Sequence, residues 1–260
     1  MGETVGFIGL GVMGKPMAKH VLSKGYPLVV YNRSRPAVDE LVAAGATAAS
    51  SPADVAAQCT VIVTMVPDTP DVEQVLTSSD GVLSRLRPGS VVIDMSSISP
   101  VATKRLAALV AERGSAMLDA PVSGGEIGAV NATLSIMIGG DAAALDRVRP
   151  ILSCMGNPDK IIHVGSAPGS GQICKVCNQI AIGGALAGVS EAIALARKSG
   201  VDPLRVREAL LGGFASSRVL EVHGERLIKS NFTPGFRTRL YQKDLRLAVE
   251  TAASTGTAVP

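Results

Sequence analysis

The chain has 260 residues, which is enough for one large domain or two smaller ones with a substantial hydrophobic core. Apolar residues make up 47% of the chain and aromatic residues only 3%, so aliphatic side chains must fill the interior. The formal net charge is +3 with the two signs interspersed, which argues against a nucleic-acid-binding protein, where a basic stripe or tail is typical.

The first predicted element is a buried strand at residues 5–10 that ends in a glycine-rich turn. The turn has the spacing G-x-G-x-x-G, and a helical pattern at 16–24 and a second strand at 27–31 follow it. In this context the glycines let the pyrophosphate of a dinucleotide approach the backbone, and the helix N-terminus attracts the phosphates. The sequence therefore predicts dinucleotide binding by Gly9, Leu10, Gly11, Val12, Met13 and Gly14.

The end of the second strand bears on the choice between NAD and NADP. It carries Asn32, Arg33 and Ser34, where an Asp or Glu would bind the ribose hydroxyls of NAD. No carboxylate is present in this tripeptide to repel a 2′-phosphate, and Arg33 can pair with one. The pattern favours NADP. In the alternative interpretation Arg33 only stacks on adenine, and both cofactors bind.

Strands and helices continue to alternate after this point. The pattern predicts strands at 46–48, 60–66 and 90–96, and helices at 37–44, 52–58, 71–76 and 100–113. Ligands of open α/β sheets bind beyond the carboxyl ends of the strands. We therefore expect Val66, Pro67 and Ser97 to line the cofactor cleft, although Ser97 and its neighbours can also be interpreted as helix-capping residues.

A second glycine-containing turn follows a strand that begins near residue 117. Ser123, Gly124 and Gly125 interrupt the strand and offer backbone N–H groups and a hydroxyl in a concavity that could hold a carboxylate. An ordinary glycine turn is the alternative interpretation. Two more strands are predicted at 133–138 and 160–164, with a helix at 142–155 between them.

From Gly169 onward the predicted elements are helices. A long helix to about residue 199 places Lys175 among apolar residues, with Asn178 and Gln179 on the same face. Burying a lone lysine is costly unless a ligand or an acid partners it, so Lys175 either reaches an interdomain cleft or snorkels from a connector helix. The remaining helical patterns lie at 203–212, 216–229 and 237–253.

The switch from alternating strands and helices to helices alone predicts two domains. We place an NAD(P)-binding domain at 1–165 and a helical substrate and oligomerisation domain at 166–260. There is no targeting pattern, and the apolar run near 176–190 is shorter than the ~20 residues that span a bilayer. We expect a cytoplasmic protein without a membrane partner.

The cysteines and histidines indicate no metal site. Cys174 and Cys177 form a C-x-x-C without a second Cys/His pair, and His20, His163 and His223 lie far apart in the sequence. We interpret the two thiols as small buried side chains that flank Lys175 in a reducing compartment.

Four motifs together resemble those of the β-hydroxyacid dehydrogenase family. They are F-I-G-L-G-x-M-G at 7–14, D-A-P-V-S-G-G at 119–125, G-x-G-x-x-x-K at 169–175 and K-D-L at 243–245. The resemblance covers the whole chain and implies an α/β fold, in which a Rossmann-type doubly wound sheet is followed by an all-α carboxy-terminal domain joined by a long helix. Family members continue with further carboxy-terminal helices, so we expect part of the helical domain to be missing.

The resemblance also implies roles for individual residues. Lys175 matches the family's catalytic lysine, and Lys243 matches a lysine that reaches the cofactor from the helical domain. Many relatives have Asn in place of Gln179, which leaves open which amide contacts the substrate. The residues implied to bind substrate are Ser123, Gly124, Gly125, Asn178, Gln179 and Phe232.

The implied activity is NADPH-dependent reduction of tartronate semialdehyde (2-hydroxy-3-oxopropionate) to glycerate by a homodimer or homotetramer, with Lys175 as general acid/base. Dehydrogenation of 3-hydroxyisobutyrate, or reduction of another small semialdehyde, is the alternative. An imine-reducing enzyme is expected to lack the lysine, and a decarboxylating 6-phosphogluconate-type enzyme to have a histidine beside it. A non-catalytic NADP-binding module is a hypothesis of a different class, and it would need neither Lys175 nor Ser123.

Overall fold

The structure is a computed structural model that describes residues 3–233 and 237–259. Its α/β part is built on one sheet of short, mostly buried strands rich in Val and Ile. Within the described residues the strands are β1 (Val5–Ile8), β2 (Leu28–Tyr31), β3 (Thr47–Ala48), β4 (Val61–Thr64), β5 (Val91–Asp94), β6 (Ala116–Asp119), β7 (Val122–Ser123), β8 (Leu134–Gly139) and β9 (Gly156–Gly165).

Helices connect these strands and then follow them. In the α/β part they are α1 (Gly14–Ser23), α2 (Arg35–Ala43), α3 (Pro52–Gln58), α4 (Thr69–Thr77), α5 (Val82–Arg85), α6 (Pro100–Ala111), α7 (Gly125–Val130) and α8 (Ala142–Leu152). The later ones are α9 (Ser170–Lys198), α10 (Pro203–Leu211), a π-helical turn (Leu220–Gly224), α11 (Glu225–Ile228) and α12 (Thr238–Thr255). A side-chain oxygen accepts a backbone N–H bond at the start of several of them, a capping arrangement that the sequence supplies at Ser51, Asp68, Ser99, Asp141 and Asp202.

The strand order confirms the Rossmann-type sheet. Strands run in the order β3-β2-β1-β4-β5-β6, all parallel, and β8 then pairs with β6 and β7 in the antiparallel direction. Strand β9 pairs with β8 in parallel at the far edge. The order reverses between β1 and β4, and the crevice outside the carboxyl ends of the strands at such a reversal is where dinucleotides bind.

Side chains from the two faces of the sheet form two separate hydrophobic cores. Phe7 of β1 packs in one of them with Met17 and Leu118, while its neighbour Ile8 packs in the other with Leu76. Successive residues of a strand point to opposite faces, so a strand buried on both faces has a nearly continuous run of apolar residues. This burial explains why β1, β4 and β5 could be recognised as continuous apolar runs.

Helix α9 spans 29 residues and joins the sheet to the helices that follow. By length and composition alone it could cross a membrane, and it is the one such helix in the part of the chain that the structure describes. It contacts β8 near its start and α12 along its side, where Val176 packs with Leu247 and Ala248. Further along, Val189 and Ile193 pack with Leu220 of the π-helical turn.

Several predicted elements differ from the structure. The turn predicted at Ser123–Gly125 leads directly into a helix, α7, and Gly124 (φ 135°) and Gly125 (φ 61°) have the positive φ values that glycine adopts without strain. Strand β9 begins at Gly156, not at 160, because its first part is a polar, exposed segment that pairs with β8 across a register shift. Helix α8 accordingly ends at Leu152 instead of 155. The single helix predicted at 216–229 contains the π-helical turn, for which we have no physical account.

Candidate active site

The start of α9 is fixed to the sheet by a buried carboxylate. Asp119, the last residue of β6, accepts hydrogen bonds from the backbone N–H groups of Gly169 and Gln172, both at 2.8 Å. A Cβ atom at Gly171 would lie 2.3 Å from the carbonyl oxygen of Met137, so only glycine allows this approach. The G-x-G-x-x-x-K motif therefore places Lys175 at a defined distance from the sheet.

The side chain of Gln172 adds a second connection at the same place. Its Oε1 accepts from the N–H of Ile98 at 3.1 Å, and its Nε2 donates to the carbonyl of Ser96 at 2.8 Å. These bonds hold the loop after β5 against α9, and they bring Ser97 to the cleft beside Lys175.

Lys175 is half-buried in a small cavity between α9 and α12. Burial lowers the pKa of its ammonium group, the carboxylate of Asp244 opposes that effect, and the positive charge of Lys243 adds to it. Within residues 3–233 and 237–259, no hydrogen bond or ion pair involves the Lys175 Nζ. The lysine that the sequence marks as catalytic thus remains available for proton transfer.

In contrast to Lys175, its neighbour Lys243 on α12 makes polar contacts with its Nζ atom. The Nζ atom donates to the carbonyl oxygens of Pro67, at 3.1 Å, and Ser97, and it pairs with Asp244 Oδ1 at 3.0 Å. The two carbonyls belong to the loops that follow β4 and β5. Lys243 therefore joins the helical part to the loops in which the sequence places cofactor-binding residues.

Asp244 also organises the amides that follow Lys175. Its Oδ2 accepts from Gln179 Nε2 at 2.6 Å, and Gln179 Oε1 accepts from Asn178 Nδ2 at 2.7 Å. The hydroxyl of Tyr241 donates to the backbone carbonyl of Gln179 at 3.0 Å. Gln179 is buried, and both its Oε1 and its Nε2 take part in these hydrogen bonds, whereas Asn178 is half-buried.

The glycine turn after β1 fits the pyrophosphate of a dinucleotide. Cβ atoms at Gly9 and Gly14 would lie 2.2 Å and 1.9 Å from backbone oxygens, so these two glycines make the turn possible. A Cβ at Gly11 would meet no atom of residues 3–233 and 237–259 within 4 Å, which leaves the space above the turn open on this part of the chain. The first turn of α1 carries no acidic residue and no side-chain cap, so its N–H groups can receive an anion.

The other predicted contacts of the dinucleotide surround this turn. Asn32 Oδ1 accepts from the N–H of Leu10 at 3.0 Å and its Nδ2 donates to Ser34, so Asn32 fixes the turn to the end of β2. Arg33 is 78% exposed and its guanidinium lies 3.7 Å from the carboxylate of Asp71 on α4. The N–H of Val66 donates to Ser96 Oγ at 3.0 Å. Val12 is exposed and Met13 half-buried beside the turn.

The residues predicted to bind the substrate are not all brought together. Ser123 is half-buried in β7, and Gly124 and Gly125 are exposed at the start of α7. In the described chain no hydrogen bond connects these three with Lys175. Phe232 is 74% exposed in the segment after α11, and residues 234–236 of its motif lie outside the described residues.

The interpretation of both cysteines as buried is wrong. Cys174 is half-buried and Cys177 is exposed, because they lie one residue before and two residues after Lys175 and so point away from its face of α9. No group of three or more His, Cys, Asp or Glu side chains within the described ranges could hold a metal ion.

Sequence reasoning missed the acidic residues that support the site. Asp244 was visible only as the middle letter of K-D-L, and Asp119 as the first letter of D-A-P-V-S-G-G. Asp94, opposite Asp119 in the sheet, accepts from Thr64 Oγ1, yet burial raises the pKa of its carboxyl to about 6. A buried carboxylate next to a strand end gives no signal in one sequence that separates it from a surface acid.

Comparison with known proteins follows the two parts of the chain. Residues 4–165 match the family model described as the NAD binding domain of 6-phosphogluconate dehydrogenase. Residues 169–260 match the model described as the NAD-binding domain of NADP-dependent 3-hydroxyisobutyrate dehydrogenase.

Individual relatives extend over nearly the whole chain. The chain is 50% identical to 2-hydroxy-3-oxopropionate reductase of Escherichia coli (strain K12), across 98% of this chain and 86% of that protein. It is 39% identical to an NAD-dependent L-serine dehydrogenase of Pseudomonas aeruginosa, across 99% and 88%. The solved structure of Mycobacterium tuberculosis 3-hydroxyisobutyrate dehydrogenase with L-serine matches with a TM-score of 0.91 at 34% identity, across 100% and 90%.

Proposed function

The chain belongs to the β-hydroxyacid dehydrogenase family, and from this premise we propose that it reduces tartronate semialdehyde to glycerate with NADPH. It is an NAD(P)-dependent oxidoreductase, as the two family models that it matches and its relatives show. The observation that carries the proposal is the half-buried Lys175 in the cleft between α9 and α12. Burial lowers the pKa of its ammonium group, and within the described residues its Nζ makes no hydrogen bond or ion pair. The 50% identity to a 2-hydroxy-3-oxopropionate reductase supports the substrate.

The residues present fit a nicotinamide dinucleotide. The open space above Gly11 and the uncapped start of α1 suit the pyrophosphate, and Arg33 suits a 2′-phosphate. Further contacts would come from the loops that hold Val66, Pro67 and Ser97, with Lys243 on the opposite side. When bound, the cofactor supplies the hydride that the aldehyde carbon receives.

We assign the proton transfer of the reaction to Lys175. In the reductive direction its ammonium donates a proton to the oxygen of the aldehyde, which becomes the new hydroxyl. A pKa lowered by burial makes that donation easier than from a solvent-exposed lysine, while the negative charge of a bound substrate works against the lowering. Ser123 and the backbone of Gly124 and Gly125 would hold the substrate carboxylate, so that the aldehyde faces both the lysine and the cofactor.

Replacement of Lys175 tests this role. We expect Lys175→Ala to lower kcat by about 10²–10⁴-fold, a typical contribution of a general acid or base, while the dissociation constant of NADPH stays unchanged. Lys198→Ala, which removes an exposed lysine from the last turn of the same helix, is the matched control and should retain full activity. Near-normal turnover by Lys175→Ala contradicts the mechanism.

The choice of substrate and cofactor is tested by initial rates. Tartronate semialdehyde should be reduced rapidly with NADPH and more slowly with NADH. Equal rates with NADPH and NADH are compatible with the proposed substrate, and they indicate that Arg33 only stacks on adenine. Without turnover of tartronate semialdehyde, oxidation of 3-hydroxyisobutyrate becomes the leading candidate, which the description of the family model for residues 169–260 and the M. tuberculosis structure favour.

We also propose that the protein acts in the cytoplasm as a homodimer or homotetramer without a nucleic-acid or membrane partner. The assembly is supported by exposed apolar side chains on α9, among them Leu195 and Ile173, at 68% and 42% exposure, which a second copy could cover. Light scattering after size-exclusion chromatography measures the mass directly. A mass of one chain at micromolar concentration contradicts the proposal.

A further inference from the structure

The carboxylate of Asp244 determines the direction of a short chain of hydrogen bonds. Asp244 is 5% exposed, and its carboxylate forms an ion pair through Oδ1 with the ammonium of Lys243 at 3.0 Å. An ionised carboxylate can only accept hydrogen bonds. The amide of Gln179, 2.6 Å from Oδ2, must therefore present its NH₂ group to Asp244 and its oxygen to the other side.

The same reasoning extends to the next amide. The oxygen of Gln179 can only accept, so Asn178, at 2.7 Å, must offer its NH₂ group. This leaves the carbonyl oxygen of Asn178, with both lone pairs, at the open end; no donor in the described ranges reaches it. Asn178 is half-buried and lies three residues after Lys175, on the same face of α9.

We propose that these three residues, Asp244, Gln179 and Asn178, which we call the amide chain, select substrates that carry a hydroxyl on the carbon between aldehyde and carboxylate. The oxygen of Asn178 contacts the substrate and accepts its hydroxyl hydrogen. Gln179 and Asp244 are positioning residues that keep this oxygen pointing outward. The inference rests on the proposed function of the Lys175 site and adds the group that determines its specificity.

The competing substrates differ at this one position. Tartronate semialdehyde has a hydroxyl where methylmalonate semialdehyde has a methyl group, and glycerate and 3-hydroxyisobutyrate differ in the same way. A methyl group would cover the oxygen of Asn178 without giving it a hydrogen bond. Sites built to bind a substrate hydroxyl reject analogues without it by up to ~10⁴–10⁵-fold. Because Asn178 is only half-buried, we expect about 10²-fold discrimination here.

The test is the ratio of kcat/KM for tartronate and methylmalonate semialdehyde at saturating NADPH. Asn178→Leu replaces the amide by an apolar side chain of similar size. It should lower the ratio at least tenfold, mostly by loss of turnover of tartronate semialdehyde. Asp244→Asn removes the charge that fixes the direction of Gln179, and should lower the ratio in the same sense by a smaller factor. Any change that this variant causes in NADPH binding through Lys243 affects both substrates and cancels in the ratio.

A control and a separate readout keep the outcomes distinct. Gln242→Leu removes an exposed amide from α12 and should leave the ratio unchanged. A ratio that Asn178→Leu leaves unchanged overturns the amide chain while the proposed function stands. If the wild-type protein turns over neither semialdehyde, the proposed function fails. The amide chain is then judged by calorimetric binding of glycerate against 3-hydroxyisobutyrate, and equal preference in wild type and Asn178→Leu overturns it.

Discussion

Arg33 and Asp71 show how one pair of side chains adjusts cofactor choice. Arg33 follows β2, where a 2′-phosphate would lie, but Asp71 on α4 is 3.7 Å from its guanidinium. The acid both competes for Arg33 and repels a phosphate. Asp71→Asn should therefore tighten NADPH binding by up to about fivefold, in line with the ~0.2–1 kcal/mol of an exposed ion pair, and change NADH binding less.

Fluorescence titration of the two reduced cofactors measures this effect directly. Glu208→Gln removes one negative charge from another exposed ion pair, with Arg205 on α10, and controls for the change in net charge. Equal tightening of NADH and NADPH by Asp71→Asn would mean that Asp71 does not act through the 2′-phosphate.

Asp94 gives the stability of the protein a defined pH dependence. Burial raises the pKa of its carboxyl from 3.8 to about 6, against the opposing effect of bonds from Ser96 and Thr64. Between pH 3.8 and about 6 the folded state holds a proton on Asp94 that the unfolded chain releases. The free energy of unfolding therefore falls as the pH rises through this range, and it stays lowered by the full amount above pH 6. Asp94→Asn should raise the midpoint of thermal unfolding at pH 8 and change it little near pH 4.

Asp119→Asn is the contrasting variant. Asp119 lies beside Asp94 in the sheet, but both of its oxygens accept backbone N–H bonds from the start of α9. An Asn side chain can satisfy only one of them, so this variant should lower the unfolding midpoint at both pH values. Stabilisation at pH 8 by Asp119→Asn, or its absence in Asp94→Asn, contradicts the assignment.

The sequence can place residues side by side where one motif contains all of them. Lys175, Asn178 and Gln179 share a helical face by spacing alone. Asp71 and Asp244 act across 38 and 65 residues, on Arg33 and Gln179 respectively, and no local pattern encodes such contacts. The supporting acids of the site therefore had to come from the structure.

At the scale of the elements, glycines in the turn between β1 and α1 have two different functions: one allows the backbone to form the turn, and the other leaves room for the cofactor. Gly14→Ala would bring a Cβ within 1.9 Å of the Gly9 carbonyl oxygen, so it should destabilise the protein even without cofactor. A Cβ at Gly11 meets nothing within 4 Å, so Gly11→Ala should leave thermal stability unchanged and weaken NADPH binding by crowding the phosphates. Calorimetric titration and thermal unfolding of both variants distinguish the two uses. Unchanged NADPH affinity in Gly11→Ala would argue against pyrophosphate binding at this turn.

Elements were predictable where burial and local turn chemistry agree. Strands β1, β4 and β5 are apolar up to Thr64 and Asp94, the polar residues that end β4 and β5, because both faces of the sheet are buried. Proline after a capping residue marks α3, α4 and α6. Helix α7 was missed because glycines with positive φ look like a turn whatever follows them. The first half of β9 was missed because its polar residues are held by pairing with β8 and not by burial.

At the scale of the whole molecule, α12 connects the helical part to the sheet at the cofactor cleft. Lys243 donates to the carbonyls of Pro67 and Ser97, and Arg246 pairs with Asp68 at 3.2 Å. Arg246 is 53% exposed, while the side chain of Lys243 is 10% exposed. Lys243 should therefore contribute most to this connection, since exposed pairs are worth little. The family resemblance implies a lysine that reaches the cofactor, but it gave no indication that this lysine also contacts two loops.

Lys243→Met should loosen these loops because it removes the shared donor and leaves Asp244 buried without its cation. We expect faster amide hydrogen exchange at residues 66–69 and 97–99, and weaker NADPH binding, while exchange in β1 and β2 stays slow because their protection comes from the sheet and its two cores. Arg246→Met, which removes the exposed ion pair at the same interface, is the control and should change exchange much less. Equal exchange in wild type and Lys243→Met would mean that the two loops are held by Gln172 and the packing of α9, and that Lys243 only meets the cofactor.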